Sequence, residues 1–284
     1  MHIRDILARN ARIYPERVAL AMGRETVTYR ELAVRVARRA SELKAQGIGK
    51  GDRIAVLMRN SPLYVELLYA ITCTGAVMLP LNEQLIAREL SEILRHADAK
   101  AVLFSEEFRR VADRVHAGLA SDTRFVAVDA QPAGAGSGEK EPVCFGLPAD
   151  AAPFSESDIA LVVYTGGVSG TPRGAMLSHR NLSAASASAA MELGLSRNDV
   201  YLSCTPLPFM AGTGRLLRFQ YLGGTVVILP DFEPDRMHPG STSQPCAWSS
   251  MAERRSPSSC RNGRSGSSGA GWSRRMEWSN RRES

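Results

Sequence analysis

Residues 1–235 contain no tryptophan, and residues 236–284 contain no valine, isoleucine, leucine, phenylalanine, tyrosine, lysine or aspartate. The second absence excludes a conventional core: without aliphatic side chains a segment cannot bury enough surface to offset its ordering entropy, so the tail is expected to be disordered. The chain also lacks a long unbroken apolar run. Its most apolar region, LLYAITCTGAVMLPL, is broken by Gly75 and Pro80 and flanked by Glu66 and Glu83. That is too short and too interrupted for a membrane span. The charged start, MHIRDILARNARIYPER, has no apolar centre of the signal-peptide kind. Cys73, Cys144, Cys204, Cys246 and Cys260 form no C-x-x-C pair and have no histidine at ligand spacing. They read as free thiols of a cytoplasmic protein.

An excess of one charge is also missing from most of the chain. The net charge of +6 and pI of about 9.3 hint at nucleic acid. Yet Met1–Asp235 holds 26 Lys+Arg against 26 Asp+Glu, and the tail holds nine Arg against three Glu. The excess lies wholly in the tail, so the body gives no reason to expect a nucleic-acid partner. Two readings of residues 236–284 compete. One is a natural basic Ser/Arg-rich arm. The other is translation of a shifted frame in a GC-rich gene, which yields Arg, Ser, Gly, Pro, Cys and Trp without regard to folding. The gathering of all three tryptophans there favours the second. The expected organisation is therefore a folded part, residues 1–235, and a disordered tail, 236–284.

What is present in the folded part is an alternation of strands and helices. TYRELAVRVARRASELKAQG opens with a capping box, Thr28 to Glu31, and ends at Gly47. IAVLM reads as a buried strand. SPLYVELLYAITCTG has Ser61 as N-cap, Pro62 at the first helical position and Gly75 as terminator. AVMLPLN, KAVLF and RFVAVD read as strands, and ARELSEILRHADA and RVADRVHAGLA as helices. Gln131–Pro142 reads as an exposed loop. DIALVVYT and GAMLS are strands, followed by an Ala-rich helix capped by Ser178. VYLSCTPLP and GTVVILP are further strands. The pattern predicts an α/β fold with a largely parallel sheet covered on both faces.

Between DIALVVYT and GAMLS lies TGGVSGTPRG, residues 165–174. A tight turn needs only two residues; this run is longer and carries three hydroxyls and a cation. Glycines let backbone N–H groups converge into an anion-binding nest, hydroxyls add donors, and Arg173 adds charge-assisted hydrogen bonds. It is neither a Walker A loop nor a dinucleotide fingerprint.

YTGGVSGTPRGAMLSHRNL resembles the phosphate-binding signature of the acyl-adenylate-forming (AMP-binding) superfamily, usually Y-T-S-G-T-T-G-x-P-K-G. VTYRELAVRVARRASELKAQGIGKGDRIAVLMRNSP, GAVMLPLN and PLPFMAG ahead of GGTVVILP resemble further stretches of that family in the same order. The resemblance spans roughly residues 3–235 and implies an incomplete N-terminal domain of the acyl-adenylate-forming fold. Tyr164, Thr165, Gly167, Gly170, Pro172 and Gly174 match the signature. Gly166 stands where Ser is usual, Ser169 where Thr is usual and Arg173 where Lys is usual. Val168 loses a hydroxyl, and Thr171 occupies the variable position. By resemblance, Thr165–Gly174 clamps the phosphates of ATP. Phe209, Met210 and Gly212 fall in the family's P-L-F-H-x-x-G segment, with Phe209 where His is frequent. That implies an apolar acyl substrate, with ordinary core packing as the alternative for Phe209.

The implied reaction joins a carboxylic acid to coenzyme A at the expense of ATP, releasing AMP and pyrophosphate, with Mg²⁺ neutralising the phosphates. No side chain is required as nucleophile. His96 and His116 are expected on solvated helix faces and His179 at the start of the helix after the loop. No counterpart is found of the family's aromatic–Gly–x–Thr–Glu motif, its ribose-binding Asp or its C-terminal lysine. Lys44, Lys50, Lys100 and Lys140 all precede the loop. Three readings follow: a truncated synthetase inactive alone, a half-enzyme completed by a partner, and an anion-binding protein acting through its tail. A buried face left open where the last strand stops, at Pro230, would be where such a partner docks.

Overall fold

A computed structural model describes residues 1–119, 122–129, 154–165 and 172–230. The loop Gln131–Pro142, residues 166–171 and the tail 236–284 lie outside the described residues.

The chain begins with α1 (Ile3–Ile13), which the sequence reading had not assigned. A hairpin follows, β1 (Val18–Met22) and β2 (Glu25–Thr28), turning at Gly23 with φ +59°. Thr28 then caps α2 (Tyr29–Ala45): its hydroxyl accepts from the Glu31 amide at 3.2 Å, and Glu31 accepts from the Thr28 amide at 2.7 Å. Next come β3 (Arg53–Leu57) and α3 (Pro62–Cys73), capped by the Ser61 hydroxyl. After β4 (Val77–Pro80) run α4 (Ala87–Ala97), β5 (Ala101–Phe104), α5 (Arg109–Ala117) and β6 (Arg124–Ala127). The remaining elements are β7 (Ile159–Thr165), β8 (Arg173–Ser178), α6 (His179–Glu192), β9 (Val200–Ser203), α7 (Met210–Tyr221) and β10 (Thr225–Ile228).

The strands form two sheets. Six run in the order β6-β5-β3-β4-β7-β8 and four in the order β2-β1-β10-β9. Pairing is parallel except at β1–β2 and β7–β8. The six-stranded sheet alternates its faces at period two. Ala55, Leu57, Leu79, Val102 and Phe104 pack on α4 and α5. Ile54, Val56, Met78, Ala101 and Leu103 face the larger core, which also takes residues of the four-stranded sheet and of α1, α2, α3 and α7. Helix α3 lies in this core, with only Leu63 of its twelve residues not fully buried. A helix apolar on every side suits such a position.

Pro230, where a buried face was expected to be left open, follows shortly after β10. β10, the last strand among the described residues, is interior, paired with β1 on one side and β9 on the other; the edge strands of that sheet are β2 and β9. No helix among the described residues is long and apolar enough to cross a membrane.

Candidate functional site

The run from Thr165 to Gly174 sits on a hairpin. β7 and β8 pair antiparallel, and the last pairs before the loop are Tyr164 with Gly174 and Thr165 with Arg173. β7 is parallel to β4, which is parallel to β3. The loop therefore leaves the carboxyl edge of the parallel strands, where α/β folds bind ligands. Gly174 is required locally. A Cβ there would fall 2.7 Å from Val162 Cγ1 and 3.2 Å from the Tyr164 ring. Arg173 is exposed and makes no ion pair with another described residue. Pro172 and Arg173–Gly174 are thus placed at the mouth of the loop; Gly166, Gly167, Val168, Ser169, Gly170 and Thr171 lie outside the described residues.

The Pro206–Gly212 segment leaves the same edge of the second sheet, at the end of β9. It is fixed by buried hydrogen bonds that sequence reasoning missed. Asn60, just past β3, accepts from the Leu207 amide at 2.7 Å and donates to the carbonyls of Thr205 (3.2 Å) and Leu229 (3.1 Å). The Leu207 carbonyl accepts from Thr213 Oγ1 at 2.6 Å and the Tyr64 hydroxyl at 3.1 Å. Burial pushes the Tyr64 phenol far up, so it stays a donor. Asn60 therefore joins the carboxyl ends of β3, β9 and β10. Its signal in the sequence, N-S-P, marks only a helix start.

Within that segment Gly212 is fully buried. A Cβ on it would lie 2.3 Å from the Pro206 carbonyl oxygen, so glycine allows α7 to press on the preceding turn. Phe209 is 39% exposed, which removes core packing as its explanation. Met210 lines a cavity of about 270 Å³ between α6 and α7, together with Leu182, Ser186, Gly214, Leu217 and Arg218.

The histidines separate. His116 is exposed, edge-on to Phe125. His179 opens α6 as expected but is buried, and it lies at the far end of β8 from the loop, about 17 Å away at 3.4 Å per residue. It has no part in chemistry at the loop. His96 is exposed, yet its Nδ1 shares a 2.6 Å hydrogen bond with the Tyr164 hydroxyl. No local pattern announces a contact between residues 68 positions apart.

Comparison with known proteins identifies the family. The family described as AMP-binding enzyme matches residues 7–244. A feruloyl-CoA synthase from Amycolatopsis sp is 34% identical over 227 residues, covering 80% of this chain and 43% of that protein. A 2-succinylbenzoate–CoA ligase from Geobacillus sp. (strain WCH70) is 28% identical over 231 residues, covering 80% and 43%. Among solved structures, a candidate long-chain-fatty-acid CoA ligase from Rhodopseudomonas palustris CGA009 superposes with a TM-score of 0.72 at 31% identity, covering 83% of this chain and 59% of that one. The chain spans less than half the length of the curated relatives it matches. With two largely parallel sheets and a glycine-rich hairpin at their carboxyl edge, the chain belongs to the AMP-binding enzyme family.

Proposed function

We propose that this chain carries the phosphate-gripping part of an AMP-forming acid–thiol ligase: carboxylic acid, ATP and coenzyme A give acyl-CoA, AMP and pyrophosphate. The observation that carries the reading is the in-register hairpin that brings Thr165 and Arg173 to one mouth at the carboxyl edge of the sheet. Residues 165–174 hold the β- and γ-phosphates. Backbone amides and hydroxyls donate, and Arg173 adds a charged fork to the developing negative charge. Val168, where the family carries a hydroxyl, weakens that grip. The carboxylate displaces pyrophosphate from the α-phosphorus, and the thiol then displaces AMP from the acyl group. Both steps are served by position and charge, without a side-chain nucleophile.

Among the described residues no group of three or more His, Cys, Asp or Glu could hold a metal ion. Mg²⁺ keeps waters and binds through few carboxylates plus phosphates, so it would enter on the nucleotide. The exposed Phe209 ring and Met210, on the Pro206–Gly212 segment held by Asn60, bias the acyl pocket toward apolar acids.

We assign full turnover to the longer relatives and phosphate binding to these residues, in a folded part of residues 1–235. The 284-residue chain is expected to bind pyrophosphate by calorimetry. It is also expected to show no carboxylate-dependent exchange of labelled pyrophosphate into ATP. Exchange at the rate of a full-length relative would refute the division of labour; no binding of pyrophosphate would refute the loop assignment.

A further inference from the structure

We propose that His96 is a positioning residue for the hairpin that carries residues 165–174, acting through the Tyr164 hydroxyl. Its effect on ligand binding rests on the phosphate-loop reading above; its existence rests on geometry alone.

β8 is an edge strand, with Ala175 and Met176 exposed. On the other side of β7, the register with β4 is Met78 to Leu161, three positions short of Tyr164. The end of β7 is therefore paired only with the edge strand β8, through Tyr164–Gly174 and Thr165–Arg173, and side chains supply its further support. Tyr164 supplies the anchor. Its ring packs into the smaller core beside α4 and lies against Gly174, where no Cβ fits. Its hydroxyl meets His96 Nδ1 at 2.6 Å, with the two rings edge to face at 5.7 Å. Burial raises the Tyr164 phenol above its ordinary value, so it keeps the proton that bond can use.

The other half of the latch is itself held. α4 ends at Asp98 in the left-handed region, φ +49°. The Arg53 guanidinium, from β3, bonds the Asp98 carboxylate, and Arg53 Nε donates to the Asp98 carbonyl at 3.2 Å. A central strand thus fixes the last turn of α4, that turn fixes Tyr164, and Tyr164 fixes the direction in which the chain enters the loop. A hydrogen bond to an exposed histidine adds little to global stability. Its leverage is angular: a small rotation at Tyr164 displaces the ligand-holding residues beyond it.

The test uses the full chain and five proteins: wild type, His96→Ala, Tyr164→Phe, the double variant, and His96→Asn, which keeps a hydrogen-bonding atom near the position of Nδ1. Pyrophosphate affinity is measured by calorimetry. Amide hydrogen exchange is followed at Tyr164, Thr165, Arg173 and Gly174. Each of His96→Ala and Tyr164→Phe is expected to weaken affinity about three- to tenfold, the equivalent of one hydrogen bond. Each should also speed exchange at those four amides while leaving the core amides of β3 and β5 unchanged. The double variant should be no worse than either single, and His96→Asn should recover most of the loss. Wild-type affinity and exchange in both single variants would overturn the proposal, as would fully additive losses in the double variant. Should the wild type bind no pyrophosphate, the loop assignment fails, and exchange at the four amides still decides whether the latch exists.

Discussion

Asn60 and Leu207 meet across 147 positions of sequence, the Leu207 amide donating to Asn60 Oδ1 at 2.7 Å. The same side chain donates to Thr205 and Leu229, so three strand ends depend on one amide group. Asn60→Ala would leave a buried N–H and two carbonyls without partners, at a cost of about 2–4 kcal/mol. Urea unfolding should show a lower midpoint with an unchanged slope. A midpoint within error of wild type would mean that water replaces the side chain.

Gly212 and Gly214 sit two residues apart in α7 and should respond oppositely to alanine. At Gly212 the new methyl meets the Pro206 carbonyl at 2.3 Å, and that backbone cannot yield cheaply. At Gly214 it meets only Met210 Cε, at 3.4 Å. Gly212→Ala is expected to destabilise by about 2 kcal/mol or more, whereas Gly214→Ala should gain up to about 1 kcal/mol from helix propensity. Thermal melts of the two variants compare them directly.

His179 predicts a pH dependence. Burial, helped by the His2 and Arg4 charges, lowers its imidazole from 6.5 to about 4. Its Nδ1 accepts from the Ile3 amide at 3.4 Å, which a protonated ring cannot do there. The unfolded chain takes up the proton below pH 6.5 and the folded chain only near 4. Stability therefore falls as pH drops from 6.5 to 4, by at most about 3 kcal/mol from this group, and then levels. His2, also lowered by burial, adds in the same direction. His179→Gln should flatten the stability curve over that interval; an unaltered slope would refute the assignment.

Arg173 is exposed on an edge strand, so Arg173→Gln should leave the melting temperature within a degree or two of wild type. Pyrophosphate affinity should fall about tenfold or more, the loss of a charge-assisted hydrogen bond. The dependence on salt should shrink as well. A variant that binds as tightly as wild type would remove Arg173 from the site.

What could be read in the sequence was local. Thr28–Glu31, Ser61–Pro62 and Ser178 cap their helices within three residues, and each cap is where the spacing put it. Helix α1 was legible but passed over: Ile3, Ile6, Leu7 and Asn10, its buried residues, recur at helical spacing among the charges. The same holds for Thr213, Leu216, Leu217 and Gln220 in α7. The division into two sheets was not legible. It depends on β1 choosing β10 over nearer strands, and nothing within either strand encodes that choice. The site divides in the same way. The glycines and Arg173 announced a loop, whereas Asn60, Tyr64 and His96 act through partners remote in sequence.

One of the two neighbours of β1 in its sheet, β10, is made last among the described strands. Leu20 and Ala21 pair with Val226 and Val227. During synthesis, at about 5–20 residues per second, roughly 10–40 seconds pass between the emergence of one strand and that of the other. Throughout that wait β1 has only its hairpin partner, and its other side offers bare amides and carbonyls to any passing chain. A nascent polypeptide halted before Thr225 would thus be adhesive rather than merely short. Ribosome-bound chaperones should engage it most strongly just before the tenth strand appears.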